Sequence, residues 1–165
     1  DRFESRGLGD VYKRQLSVLL SSMAQSQNAG FGSLSNDRNE PLHFNSDSLI
    51  FNQAKNIAEL FDGVKITQGK STLNAEYVKV IYSKTDNNLE KILAERNVEL
   101  KSNTDIAKAD KAVYSLIENS ISLTGNAQLV QGSNKILADQ ILIDTKTGLT
   151  QLLGGVKTII LPSTN

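Results

Sequence analysis

Cysteine and tryptophan are absent from this 165-residue chain, which has only two prolines, one methionine and one histidine. Without cysteine, disulfide bonds and thiolate chemistry are excluded. A lone histidine, His43, leaves no cluster of the kind that zinc sites and nucleophile–base pairs need. Basic and acidic residues number 18 each, and there is no Lys/Arg tract of the kind that binds nucleic acid. These absences predict a protein that is not an enzyme and has no cofactor or metal.

The N-terminal segment is set apart from the fold because Ser5 to Gln15 reads as a translated sequencing adapter. Residues 1–15 are therefore predicted to be non-native and to make no contacts with the folded body. Residues 16–24 resemble the end of a truncated signal peptide that closes on the small-x-small pattern Ser22-Met23-Ala24, which indicates export. A retained membrane anchor is the alternative. Residues 25–40 are predicted to be a flexible mature N-terminus, residues 41–162 a folded domain and residues 163–165 a tail.

A small residue followed by an acid occurs four times in the folded part, each time before alternating apolar positions. The acids are Asp47, Glu76, Asp110 and Asp139. They lie 29, 34 and 29 positions apart. Turn-like pairs before a small apolar residue interleave with them: Asp62-Gly63, Arg96-Asn97, Gly125-Asn126 and Gly154-Gly155. A period of this length indicates an architecture of repeated units, here four.

Apolar residues alternate within each unit, as in a strand with one buried face. Val64 and Ile66 begin one strand, and the apolar positions change from odd to even between Ala75 and Val78. Such a change of phase moves side chains to the other face unless the backbone bends. We therefore expect each small–acid pair to mark a corner.

The repeat also predicts which positions are equivalent. Ala75, Ala109 and Ala138 should form one set, and Val64, Val98 and Ala127 a parallel set. Residues 53–60 and 89–96 contain good helix formers. Their counterpart at residues 120–124 alternates like a strand, so we predict strands for both stretches.

Order and spacing together resemble the LptA/OstA-like family of lipopolysaccharide transport proteins. The resemblance covers about residues 41–162, and no single motif in it is diagnostic. The stretches that carry it are Pro41 to Asp47, Gly63-Val64 through Gln68-Gly69 to Ala75-Glu76, and Leu123 to Ala127 through Gln131-Gly132 to Ala138-Asp139. Two positions depart from the family pattern: Glu76 stands in place of the usual Asp, and Arg96-Asn97 in place of a typical Gly-Asn.

The resemblance implies an all-β fold, an OstA-like β-jellyroll of about sixteen antiparallel strands that is V-shaped in section. It also implies a periplasmic carrier whose apolar groove shields the acyl chains of lipopolysaccharide, as part of a bridge from the inner to the outer membrane. The open ends would stack on LptC-like and LptD-like OstA domains, or head to tail on further copies. Two alternatives stay open: a membrane-tethered LptC-like or receptor-type module, and a structural β-solenoid without ligand.

Apolar side chains predicted to face inward are the candidates for contact with lipid. They are Leu42, Phe44, Phe51, Ile66, Leu73, Val78, Val80, Leu129, Ile136, Ile141 and Ile143. In any β-protein such residues form the core first, so the pattern does not separate packing from binding. His43 alternates with its two apolar neighbours and is predicted on the outer face. The repeated acids stand singly, which favours hydrogen bonding to the backbone at corners over a calcium array.

Overall fold

The computed structural model describes residues 31–162, which form one short helix and ten antiparallel strands. The helix α1 is Gly32–Asp37. The strands are β1 (Leu42–Asn45), β2 (Ser48–Asn52), β3 (Ile57–Gln68), β4 (Ser71–Tyr82), β5 (Leu89–Ser102), β6 (Asp105–Ser115), β7 (Ser120–Gln131), β8 (Asn134–Asp144), β9 (Thr150–Leu153) and β10 (Lys157–Ile159). The all-β prediction is confirmed, whereas sixteen strands and four repeated units are not.

All ten strands belong to one open sheet. Strands β3 to β8 pair in chain order, β1 and β2 both pair with β3, and β9 and β10 both pair with β8. Every pairing between β3 and β8 has a register shift near its middle. In β4, β6 and β8 these shifts fall at Glu76, Asp110 and Asp139, so the predicted corners are confirmed there.

The corners divide the sheet into two arms. Arm A consists of residues 42–45, 64–68, 71–75, 98–102, 105–109, 127–131, 134–138 and 157–159. Arm B consists of residues 48–52, 57–61, 77–82, 89–95, 111–115, 120–124, 140–144 and 150–153. Buried side chains of both arms form a single core cluster. The two arms therefore face each other across the core.

At each corner the neighbouring strand contributes a pair of residues with left-handed backbone. In β7 the φ angles are +79° at Gly125 and +49° at Asn126. Glycine and asparagine adopt this region more readily than other residues. Asn126 Nδ2 donates a hydrogen bond of 2.8 Å to Asp110 Oδ2, and Asn97 Nδ2 donates to Glu76 in the same way. The two carboxylates thus accept side-chain amide groups, rather than the backbone groups that we expected.

Small residues line the inner face beside the corners, where a strand passes from one arm to the other. The cross-strand pairs are Val64 with Ala75, Val98 with Ala109 and Ala127 with Ala138. All six side chains are buried. Each residue of the set Ala75, Ala109 and Ala138 is therefore the cross-strand partner of one residue of the set Val64, Val98 and Ala127. The reason is that the two strands of each pair are joined by a turn.

The two stretches rich in helix formers differ in outcome. Residues 89–96 lie in β5, as predicted. Residues 53–56 form a turn, and β3 begins only at Ile57. The reason is visible at Asn56, which has φ +52° and donates a side-chain hydrogen bond of 2.9 Å to the carbonyl of Ser83.

Helix α1 lies in the segment that the sequence indicated to be flexible. Phe31, Leu34 and Asp37 recur every third residue and so share one face of the helix. Their exposed fractions are 0, 6 and 9%. The folded body thus includes residues 31–40 and does not begin at residue 41. No helix within residues 31–162 has the length and apolar character needed to cross a membrane. The adapter, signal-peptide and tail predictions lie outside these residues.

Candidate functional site

The side of the molecule opposite the corners, here called the open side, is covered by α1. The Phe31 N–H donates a hydrogen bond of 3.4 Å to Thr150 Oγ1 at the start of β9 in arm B. The hydroxyl oxygens of Ser33 and Ser102 are 2.6 Å apart, and Ser102 ends β5 in arm A. Helix α1 therefore bridges the two arms at strand ends that lie far from the corners.

The segment after α1 continues the bridge. Gln68 Nε2 in arm A donates hydrogen bonds to the carbonyls of Arg38 and Glu40, at 2.9 and 3.0 Å. Tyr114 in arm B lies near the same groups. Burial raises the pKa of the Tyr114 hydroxyl, and the nearby charge of Arg38 only partly offsets this.

A buried chain of hydrogen bonds, here called the serine–aspartate chain, holds α1 on arm A. Ser33 Oγ lies 2.6 Å from Ser102 Oγ, which lies 2.8 Å from Ser71 Oγ. Ser71 Oγ in turn donates a hydrogen bond of 2.6 Å to Asp37 Oδ2. A buried polar group that loses its partner costs about 1–3 kcal/mol. Within residues 31–162 every buried side-chain nitrogen or oxygen has a partner, so these groups satisfy one another.

A small, mostly apolar cavity lies beneath α1. Its volume is about 30 Å³, room for about two water molecules. The walls come from α1 and from both arms: Leu34, Leu42, Ile66, Gln68, Ser71, Thr72, Leu73, Ile92, Leu100, Tyr114 and Ile121. A cavity of this size does not hold an acyl chain.

The eleven candidate lipid contacts fall into three groups. Seven are buried in the core: Ile66, Leu73, Val78, Val80, Leu129, Ile141 and Ile143. Leu42, Phe44 and Ile136 are partly buried against it. Of all these, only Leu42, Ile66 and Leu73 line the cavity. Contact with lipid remains a prediction for each of them.

Phe51 differs from the other ten because its side chain is 56% exposed. It pairs with buried Ala58 and so lies on the inner face of the sheet. Within residues 31–162 strand β2 pairs with β3 only, and the ring has an aromatic neighbour in Tyr82, at 6.5 Å between ring centroids. Phe51 therefore faces inward, as predicted, but it lies at the edge of the sheet and is not packed into the core.

Both ends of the sheet expose apolar side chains. At the first end these are Leu49, Ile50 and Phe51 on β2. At the second they are Leu149, Leu153, Val156, Ile159, Ile160 and Leu161, on and around β9 and β10. Within residues 31–162 each of these edge strands pairs on one side only. Edge strands of this kind present unpaired backbone groups for pairing with another chain.

Asp105 lies beside the serine–aspartate chain, since it is the cross-strand partner of Ser102. Burial raises the pKa of its carboxyl above the ordinary 3.8, and the hydrogen bond from Gln131 only partly offsets this. A raised folded-state pKa means that the stability contributed by this group is fully present below the unfolded pKa. That stability is lost as the pH rises through the folded pKa. We therefore expect Asp105→Asn to raise the melting temperature at pH 7, with the difference fading as the pH falls below about 4.

Asp144 provides a control of opposite sign. Backbone hydrogen bonds from Thr147 and Lys146 hold the pKa of its carboxyl below the ordinary value. Asp144→Asn should therefore lower the melting temperature at pH 7 and have little effect at low pH. Thermal unfolding of both variants between pH 3 and 7 tests the pair. A melting temperature of Asp105→Asn below that of wild type at pH 7 would contradict the assignment.

No catalytic centre is visible in the described part of the chain. Residues 31–162 contain no group of three or more His, Cys, Asp or Glu side chains able to hold a metal ion. His43 is exposed and lies between two partly buried neighbours, on the outer face as predicted. The arrangement instead offers an apolar interior, a helix that covers it and two exposed edges. This arrangement of strands is a β-jellyroll built around an apolar interior.

Comparison with known proteins gives the family. Residues 43–149 match the family described as "LptA/(LptD N-terminal domain) LPS transport protein". The chain belongs to this family, which is one of transport proteins and not of enzymes. It is 28% identical over 158 residues to the lipopolysaccharide export system protein LptA of Haemophilus influenzae, covering 88% of this chain and 91% of that protein. An uncharacterized protein of Rhizobium meliloti is 26% identical over 143 residues, covering 82% of this chain and 77% of that protein.

A solved structure shares the fold. The crystal structure of LptH from Pseudomonas aeruginosa, described as the LptA-homologous periplasmic component of the lipopolysaccharide transport device, superposes with a TM-score of 0.66. The match covers 76% of this chain and 99% of that chain, at 19% identity. The likeness confirms an LptA-like β-jellyroll.

Proposed function

We propose that this chain is a periplasmic carrier that holds lipopolysaccharide by its acyl chains between arm A and arm B. The observation that carries the proposal is the continuous apolar interior, to which every strand from β3 to β8 contributes buried side chains. Burial of acyl chains there contributes about 0.8 kcal/mol per methylene group and needs no catalytic group. The family and the periplasmic neighbour support the same function.

The partners we propose are domains of the same type. The edge strands at both ends offer unpaired backbone groups flanked by exposed apolar side chains. One end would stack on an LptC-like domain and the other on an LptD-like domain, either directly or through further copies arranged head to tail. Such stacking would join the apolar interiors of successive domains into a bridge between the two membranes.

The test compares two neighbouring residues of β3 that point to opposite faces. Ile66 is buried and lines the cavity, whereas Lys65 is exposed. We expect Ile66→Asn to weaken binding of lipid A by about tenfold or more, since an unpaired amide in an apolar site costs about 1–3 kcal/mol. Lys65→Asn should bind like wild type. Fluorescence titration with lipid A measures binding, and circular dichroism must show that both variants are folded.

If the folded Ile66→Asn and Lys65→Asn proteins bind lipid A equally well, the lipid does not bind beside Ile66 between the two arms. If folded wild-type protein binds neither lipopolysaccharide nor lipid A but still assembles end to end, a structural β-solenoid becomes the better description. Membrane fractionation of the protein expressed from its full coding sequence distinguishes the soluble carrier from a tethered LptC-like or receptor-type module.

A further inference from the structure

We infer that α1 is a removable plug: Phe31 and Leu34 occupy the place of an acyl chain on the open side, and lipid enters only when α1 moves away. This inference rests on the proposed function and assigns regulation to the same site. It starts from a mismatch of size. The cavity beneath α1 has a volume of about 30 Å³, so some part of the described molecule must leave before an acyl chain can be buried there.

The strands β3 to β8 are poor candidates for the part of the molecule that leaves. Each strand from β3 to β8 is paired along most of its length on both sides. Moving one would break two ladders of backbone hydrogen bonds at once. Helix α1 is in no ladder, is six residues long and has no side-chain cap at its N-terminus. A helix this short is not stable by itself in water, so packing and the serine–aspartate chain hold it in place.

The buried face of α1 has the chemistry of the ligand that would replace it. Phe31 is 0% and Leu34 is 6% exposed, and both belong to the same cluster as the core residues of the two arms. If methylene groups of an acyl chain take their positions, apolar surface on the arms stays covered. The interior then loses little of the burial that stabilises it, and α1 can be exchanged for lipid at a modest cost.

The polar attachment of α1 also favours exchange. Asp37 and Ser33 would pass from the serine–aspartate chain to water, which can hydrogen bond to both. Ser71 and Ser102 stand at the ends of their strands, beside turns, where water can replace the helix. Because a typical hydrogen bond contributes only about 0.5–1.5 kcal/mol net, this attachment can hold α1 and still release it.

A disulfide between α1 and arm A tests the inference directly, because the chain has no cysteine of its own. Ser33→Cys/Ser102→Cys joins positions whose side-chain oxygens are 2.6 Å apart. The oxidised protein should bind lipid A at least about tenfold more weakly than the reduced protein, since apparent affinity falls with the fraction of molecules that are open. Reduction should restore binding.

Ser71→Cys/Ser102→Cys is the matched control. The side-chain oxygens of Ser71 and Ser102 are 2.8 Å apart, and the double substitution perturbs the same serine–aspartate chain. Its disulfide links two strands of arm A and forms no covalent link to α1. Oxidised and reduced forms of the control should bind alike. A mass shift of intact protein on alkylation reports whether each disulfide has formed.

Phe31→Ala supplies a second, independent readout that does not depend on disulfide formation. Removal of the ring weakens the plug, so lipid A should bind about three- to tenfold more tightly than to wild type. A purely structural role for Phe31 predicts equal or weaker binding. Unchanged binding in Phe31→Ala, or equal binding by the oxidised and reduced α1 cross-link, overturns the plug and leaves the carrier proposal standing. Absence of binding in wild type and in every variant overturns the carrier proposal itself.

Discussion

Gly125→Ala is expected to lower the free energy of unfolding by about 2–5 kcal/mol. Gly125 has φ +79°, a conformation that costs an L-residue about 1–2 kcal/mol. A Cβ at this position would also lie 2.7 Å from Asp110 Oδ2 and 2.9 Å from Asp110 Cβ. A side-chain rotation moves the carboxylate but not the Cβ of Asp110, so the corner itself must shift. Urea unfolding followed by circular dichroism measures the loss.

Gly63→Asn is the control at another corner. Gly63 has φ +57°, and a Cβ built there meets nothing within 4 Å. Asn97 and Asn126 occupy the same second position of their pairs, at φ +51° and +49°. We therefore expect Gly63→Asn to cost less than about 1 kcal/mol. If the two substitutions destabilise the protein equally, backbone strain alone explains why glycine is needed at position 125. Close contact between a Cβ and Asp110 would then play no part.

Ile141→Ala is expected to cost about 2–5 kcal/mol, the usual range for truncation of a fully packed aliphatic side chain. Ile141 is 0% exposed and pairs with Leu123 on one side and Leu152 on the other. It stands beside the corners and does not line the cavity beneath α1. We therefore expect the folded Ile141→Ala protein to lose less affinity for lipid A than Ile66→Asn does.

Ile117→Ala is the reference for this prediction, because Ile117 is 70% exposed in the turn after β6. Its effect should stay within about 0.5 kcal/mol. Two results would contradict the assignment of Ile141 to the core. One is a loss of stability no larger than that of Ile117→Ala, and the other is a folded Ile141→Ala protein that loses as much affinity for lipid A as Ile66→Asn.

The repetitive part of the fold was predictable because the phase of the apolar alternation changes at the small–acid pair that recurs along the chain. The alternation on either side of the pair indicates which face is buried. These signals placed the corners at Glu76, Asp110 and Asp139, and placed residues 89–96 in a strand despite their helix propensity. Inward orientation held for the eleven candidate residues, and burial against the core held for all of them except Phe51.

Two kinds of feature were not predictable from the local pattern. Exposure of Phe51 depends on where the sheet ends, which alternation within one strand does not encode. Helix α1 lies in a Gly-, Ser- and Asn-rich segment whose only signal is the spacing of Phe31, Leu34 and Asp37. Three residues are too few to separate a packed turn of helix from chance. The partners of Phe31, Ser33 and Asp37 come from distant parts of the chain: Thr150, Ser102 and Ser71.

The chain-order pairing of β3 to β8 bears on how such a molecule folds and how it can change in length. Each strand of this series meets its sequence neighbours through short turns, so a hairpin can form before distant segments are in place. Stability then accumulates from nearest-neighbour contacts, as in repeat proteins. Insertion or deletion of one hairpin would lengthen or shorten the sheet along its axis while the distance from corner to open side stays the same. The number of hairpins therefore sets the span of the molecule, and the residues at each corner set the width of what it can enclose.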